Sequence, residues 1–310
     1  MENQIPLISL CIPTNGVVEW VIPVVESIYK QGVDQLLFEV VIADNGTDSV
    51  LDKALLNYRY DNLHYYKTQE QGFVNQKASF RLAHGEFRKM LNHRGPLIDG
   101  ALQDMVEVVK KYRDTKPVLY FSDGRIKSKD EFIECANTDE FIAKMLSWTT
   151  WSAGLGLWKE DIPALNRLEC DKMFPHVTMM FETREESRYV IWNKTYLEIM
   201  SDDGKGGYNV FKAFAIDFMD LMNDLREKKR ISEETFGRTK NDVLTLLSRF
   251  YYTEKLRPRI HTFEIDHIKT SVCKYYSLFE YYYMILYAFT FFPKSAIRVI
   301  KQTFGKKAFV

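Results

Sequence analysis

No run in this chain approaches the roughly 20 consecutive apolar residues that a membrane-spanning helix needs. Its most aromatic uncharged stretch, Tyr281 to Phe292, is twelve residues long. Net charge is missing too: Lys+Arg and Asp+Glu balance at 42 each, which argues against a general nucleic-acid binder. The four cysteines, Cys11, Cys135, Cys170 and Cys273, form no CxxC and share no paired spacing with histidine. A zinc module is therefore not expected, and the simple reading is a reduced, cytosolic chain. Neither a GxGxxG nor a P-loop is present, which argues against kinases and dehydrogenases. The N-terminus has no basic start followed by a long apolar stretch, so no export signal is expected. In that setting the sequons at Asn45 and Asn193 are expected to be chance.

What is present is enough apolar residue, 46% of 310, to build a sizeable core without disulfides. Strand and helix patterns alternate through the first half. "LISLCIP" (7–13), "FEVVIADNG" (38–46), 63–67, 87–91 and "PVLYFSDG" (117–124) read as buried strands. Between them, helical spacing runs from Val18 to Tyr29, over 49–58 and 73–83, and from Leu97 to Arg113. Strands separated by helices predict an α/β domain with a mainly parallel sheet and helices on both faces. Ligands of such sheets bind outside the carboxyl ends of the strands. Three turns qualify: Pro13–Gly16, Asp44–Thr47 and Asn92–Gly95.

Taken in order, "SLCIPTNG", "VVIADNGTDS", "AHGEFRKML" and "PLIDGALQDMV" resemble the family 2 glycosyltransferases of the GT-A (Rossmann-like) fold. The bacterial abequosyltransferase-like and capsule or lipopolysaccharide branch is the most similar. The resemblance covers residues 7 to about 125 well and continues weakly through "WSAGLGLWKED" and "GKGGYNVFKAF". It implies a nucleotide-sugar-binding GT-A domain over 1–230 and a helical extension over 231–310. Pro13, Thr14, Asp44 and Asn45 would form the nucleotide pocket, with Asp44 accepting the N3–H of uracil or thymine.

Two positions depart from the family. Where it carries an asparagine ahead of its Gly-Glu-aromatic motif, this chain has Lys77. Where it carries an acidic metal-binding pair, this chain has Asn92, His93 and Arg94. Mg²⁺ and Mn²⁺ want oxygen ligands, whereas arginine offers a planar fork to phosphate. Lys77, His93 and Arg94 are therefore expected to meet the diphosphate in place of a metal. A decayed site or a loop whose Arg94 faces solvent is the bland alternative, and Mg or Mn held nearby is another. Asp202 and Asp203 in a later loop are an alternative metal site, with a solvated turn as the plainer reading.

An inverting transferase also needs a base for the acceptor hydroxyl. His176 and Asp171, flanking an aromatic stretch, are the candidates, with a structural histidine and a helix cap as their bland alternatives. Trp151 and Trp158, among glycines, are expected on the acceptor side or in the core. The C-terminus predicts a peripheral membrane contact: tyrosines suit an interface, and Lys294, Arg298, Lys301, Lys306 and Lys307 supply positive charge. The expected function is transfer of a sugar from a UDP- or dTDP-sugar to a growing glycan at the inner membrane face. A non-catalytic binding or assembly protein on the same fold is the alternative.

Overall fold

The computed structural model describes residues 5–184, 187–198 and 204–292. The chain forms two compact units, Met1–Met200 and Ser201–Val310, so the division falls earlier than the boundary at 230 read from the sequence.

The first unit is built on strands β1 (Ile8–Thr14), β2 (Phe38–Asp44), β3 (Leu63–Lys67) and β4 (Phe87–Met90), mutually parallel in the order β3-β2-β1-β4. β2 and β4 are buried at every position, and β1 at all but Pro13. Their burial follows from helices covering both faces of a parallel sheet, and it takes in the polar Glu39, Asp44, Arg88 and Lys89 as well as the apolar residues. Helices α1 (Val18–Tyr29), α2 (Val50–Leu55), α3 (Asn75–Leu82) and α4 (Ala101–Tyr112) make the crossovers. α4 buries Ala101, Leu102, Met105, Val106, Val108, Val109 and Tyr112, the helical stripe that its sequence spacing requires. All these elements lie within a few residues of the ranges read from the sequence.

The strand called fifth exists but does not extend this sheet. β5 (Val118–Phe121) follows β4 in the chain, and the outer edge of β4 is taken by a later strand running antiparallel to it. After β6 (Phe132–Cys135) and α5 (Thr138–Met145), that later strand is β7 (Gly156–Trp158). β5 instead pairs in parallel with β8 (Tyr189–Trp192), which also takes β6 on its other side. Helices α6 (Ile162–Arg167) and α7 (Pro175–Glu182) lie between β7 and β8.

The backbone of β7 approaches closely because Gly156 has no side chain. A Cβ there would lie 2.1 Å from the Phe87 ring. Trp158, two residues on, meets the same ring edge-on at 4.9 Å.

The second unit starts with β9 (Gly206–Asn209), continues through α8 (Val210–Lys212) and a π-helical turn, Ala213–Asp217, into α9 (Phe218–Glu227), and then forms α10 (Glu233–Lys255). Ser232 caps α10 by accepting the Thr235 N–H. β10 (Thr262–Glu264) pairs with β9, and α11 (Ile268–Val272) and α12 (Leu278–Phe289) follow. Phe218, Met222, Val243, Leu247 and Met284 contribute to the core of this unit. Among the described residues no helix is long and apolar enough to cross a membrane.

Gly156→Ala places its methyl into the Phe87 ring and is expected to destabilise the first unit by about 1–3 kcal/mol, as overpacking does. Urea denaturation followed by tryptophan fluorescence reads this out. An unchanged midpoint would show that the β4–β7 contact has slack the geometry does not suggest.

Candidate active site at the carboxyl ends of the strands

Winding away from β1 reverses between β2 and β4, which lie on opposite sides of it. The gap at the carboxyl ends of β1 and β4 is therefore the switch point where open α/β sheets bind ligands. Thr14 ends β1, and His93 stands in the turn after β4. The Thr14 hydroxyl oxygen accepts the Gly16 N–H at 3.1 Å and lies 2.9 Å from His93 Nδ1. Burial, with the neighbouring Arg94 charge as a lesser cause, pushes the His93 imidazole down to about 4, so it is neutral at pH 7. Trp20 of α1 meets the His93 ring edge-on at 5.1 Å, and its face carries the Arg94 guanidinium at 4.4 Å.

Asp44 ends β2 and is fully buried. Its Oδ1 accepts the Gly46 N–H at 2.7 Å, and its Oδ2 accepts from Tyr65 Oη at 2.8 Å and Lys67 Nζ at 2.9 Å. Close approach of the turns is what encloses it: Gly16, at φ +87°, would bring a Cβ to 3.1 Å from Oδ1. Asn75 at the start of α3 ties the strand ends together. Its Nδ2 donates to the Ala43 carbonyl at 2.7 Å and the Thr14 carbonyl at 3.3 Å, while Thr68 donates to its Oδ1.

A fourth strand end opens on the same side. Met90 N–H donates to the Leu155 carbonyl, and Tyr120 of β5 bridges Leu155 antiparallel. β4 and β5 are both antiparallel to this segment, so they point the same way. Asp123, at φ +54°, accepts the Tyr196 and Leu197 N–H groups on Oδ1 and the Arg125 guanidinium on Oδ2 at 3.1 Å. Arg125 lies 5.1 Å from the Trp148 ring centre and 4.7 Å from that of Trp151.

No family model matches the chain, and no curated protein matches it significantly. Solved structures do. S. aureus TarS 1-349 in complex with UDP-GlcNAc superposes with a TM-score of 0.56 at 15% identity, over 79% of this chain and 72% of that one. The same protein with UDP gives 0.52 at 16%, over 81% and 73%. The mannosyltransferase PcManGT from Pyrobaculum calidifontis, in complex with GDP-Man and Mn²⁺, gives 0.55 at 11%, over 97% of this chain and 80% of that one. The fold is GT-A.

GT-A sheets that use a metal hold it with acidic residues after β4, and the residues here do not fit that role. Asn92 Oδ1 accepts the Arg94 N–H, His93 is turned to Thr14, and Arg94 is itself a cation. Among the described residues no group of three His, Cys, Asp or Glu side chains is placed to hold an ion. Asp202 and Asp203 lie outside the described residues.

Several residues picked from the sequence have other work in this GT-A domain. Lys77 Nζ donates to the Leu168 carbonyl at 2.5 Å, so its charge is spent on a loop rather than on the strand ends. Asn45 donates to the Glu70 and Gly72 carbonyls and clamps the loop before α3. Pro13 is half-buried on β1, paired with Ala43. Trp158 is wholly buried, with Nε1 donating to the Pro117 carbonyl at 2.7 Å, so it offers no face to an acceptor. Trp151 is part-buried, and Arg125 already covers its ring.

Both catalytic candidates already make hydrogen bonds within the protein. Asp171 Oδ1 accepts the Met173 and Phe174 N–H groups, orienting the chain into α7. His176 is buried, with Nε2 3.0 Å from the Thr150 carbonyl and Nδ1 3.1 Å from the Gln76 amide. A carbonyl can only accept, so Nε2 carries the proton and Nδ1 accepts from the Gln76 amide turned to present its NH₂. Both ring nitrogens are occupied.

The residues that sequence reading missed are Trp20, Tyr65, Lys67, Asn75, Asp123 and Arg125. One signal was available: the asparagine sought at 77 has a counterpart two positions earlier, at 75. The others become visible only through register, as in the pairing of Asp44 with Lys67.

Burial pushes the His176 imidazole down to about 4 from 6.5. Between those values the unfolded chain binds a proton that the folded chain does not, so stability falls as pH drops from 6.5 toward 4. The slope is on the order of 1 kcal/mol per pH unit. His176→Gln is expected to reduce this dependence in urea melts between pH 4.5 and 7, leaving the share that His93 contributes. Parallel curves for both proteins would mean that the histidine titrates normally.

Proposed function

We propose that the protein is an inverting glycosyltransferase that moves a sugar from a UDP- or dTDP-sugar to a growing surface glycan such as capsule or O-antigen. One observation carries this reading: Thr14, Asp44, His93 and Arg94 converge at the switch point of a GT-A sheet. A nucleoside diphosphate sugar is the ligand class shared by the superposing structures, one with UDP-GlcNAc and another with GDP-Man. The assignment to the abequosyltransferase-like branch rests on the sequence motifs alone.

In this reading the uracil or thymine N3–H takes the place of Lys67 on Asp44, and the displaced ammonium meets a base carbonyl. Cytosine has no N3–H and is refused. The leaving diphosphate gains charge as its bond to the anomeric carbon breaks. Arg94, held over the Trp20 ring, offsets that charge with its guanidinium. His93, neutral, adds a hydrogen bond and no charge. The acceptor oxygen attacks the anomeric carbon from the opposite face and loses its proton to a carboxylate. We assign that role to Asp123, because it follows β5 on the side where β1 and β4 also end, with Oδ2 against Arg125. The hydrogen bonds that occupy His176 and Asp123 itself favour the second reading, a GT-A protein that binds nucleotide without turnover.

Thermal shifts across nucleotides test the pocket. UDP and dTDP are expected to raise the Tm, CDP to leave it unchanged, and Asp44→Asn to remove the preference. Equal shifts from CDP and UDP would overturn the base assignment.

Turnover tests the chemistry. Arg94→Ala is expected to lose about a hundredfold or more in rate, corresponding to roughly 2–4 kcal/mol of transition-state stabilisation. Arg94→Lys recovers part of it, Asp123→Asn abolishes turnover while keeping the UDP shift, and wild type works in EDTA. Activity lost to chelator and restored by Mn²⁺ would refute the arginine role. UDP binding with no transfer from any UDP- or dTDP-sugar would leave the non-catalytic reading.

A further inference from the structure

The second unit carries a surface that the sugar-transfer reading does not use. α12 opens with a capping box, Ser277 accepting the Glu280 N–H while the Glu280 carboxylate accepts the Ser277 N–H. The helix therefore starts at a fixed point and presents fixed faces. Met284 and Ala288 are fully buried, and the ring of Tyr252 on α10 meets Phe291 and Phe292 just beyond the helix end. Lys240 of α10 pairs with Glu280 at 3.3 Å. That face is satisfied.

The opposite face is not. Phe279 is 79% exposed and Leu286 68%, with Leu278, Tyr282, Tyr283 and Phe289 at about half. At 100° per residue these six side chains span an arc of about 140°. No charged residue interrupts the stripe between Tyr281 and Phe292. A water-facing helix of an ordinary domain carries the reverse pattern, and contiguous exposed apolar surface marks an interaction site.

We infer that this face of α12 docks in the plane of an anionic lipid surface. Two features favour lipid over a protein partner. The stripe mixes Phe and Leu with Tyr, whose ring and hydroxyl are both satisfied at the headgroup boundary. The chain beyond α12 then adds Lys294, Arg298, Lys301, Lys306 and Lys307 with no acidic residue after Glu280, a charge complementary to anionic headgroups. Apolar insertion and electrostatic attraction thus come from adjoining segments, the two signals that stable peripheral attachment takes.

Flotation of the full chain with phosphatidylcholine vesicles, with and without phosphatidylglycerol, tests this. No nucleotide is present, so the outcome is independent of the sugar-transfer reading. Binding is expected only with phosphatidylglycerol. Phe279→Ser and Leu286→Ser are exposed changes and are each expected to weaken it about tenfold, with the wild-type Tm retained. Replacing Lys294, Arg298 and Lys301 by Gln together should also weaken it and reduce its salt dependence. Vesicle binding untouched by Phe279→Ser and Leu286→Ser would overturn the assignment to α12. So would protein that ignores both vesicle types. A concentration-dependent dimer dissolved by Leu286→Ser would identify a second copy of the chain as the occupant instead.

Discussion

The short bond between Thr14 and His93 crosses the gap that strand order leaves between β1 and β4, and much of the site follows from it. By holding the turn after β4 against the end of β1, it draws the imidazole into the protein and keeps it neutral. The next residue then has to leave the sheet, and Trp20 offers its guanidinium a flat surface. A cation is thus positioned at the strand ends, over the Trp20 ring.

Buried polar groups recur at both ends of the first sheet and are hydrogen-bonded there, although Arg88 Nε on β4 is buried without a hydrogen-bond partner among the described residues. At the carboxyl end, Asp44 accepts three hydrogen bonds and Asn75 takes part in three. At the opposite end, Glu39 accepts from Ser9, His84 and Gly85, and these bonds hold its carboxyl below the usual range against its burial. On β4, Lys89 is wholly buried. Its ammonium donates to the Met90 and Ala153 carbonyls and lies over the Phe121 and Tyr196 rings. Burial still pushes its pKa well down. These groups cost desolvation and return geometry, since an unpaired one would be far more expensive. Lys89 in particular fixes the carbonyl of Ala153, two residues from Trp151.

The two units solve opposite problems with their surfaces. The first covers its sheet with helices and encloses even the Asp44 carboxylate. The second leaves one face of α12 bare, although its other face packs normally. Propensity does not explain this, since Phe, Tyr and Leu are equally compatible with burial. The difference lies in having no further element to lay over the helix among the described residues.

Hydrophobic periodicity determined the strands and helices of the first unit within a few residues, because each run must bury a face whatever its partners are. The turns at Thr14, Asp44 and His93 were legible for the same reason: a parallel sheet exposes its ligand side at the carboxyl ends of its strands. Pairing beyond that was not legible. β5 reads as a strand of the main sheet, yet the edge it would join is filled by β7, which depends on Gly156 fitting beneath the Phe87 ring. Roles within the site were decided later still. His176 and Asp171 sit in a promising sequence neighbourhood, but a carbonyl from one loop and two backbone N–H groups occupy them. Asp123 lies in the run 117–124 read simply as a strand, and only the Leu155 bridge shows that β5 ends on the same side as β4. Residue type and spacing fix which groups can be buried or exposed; only packing decides which hydrogen-bonding partners reach them first, and so which remain for a ligand.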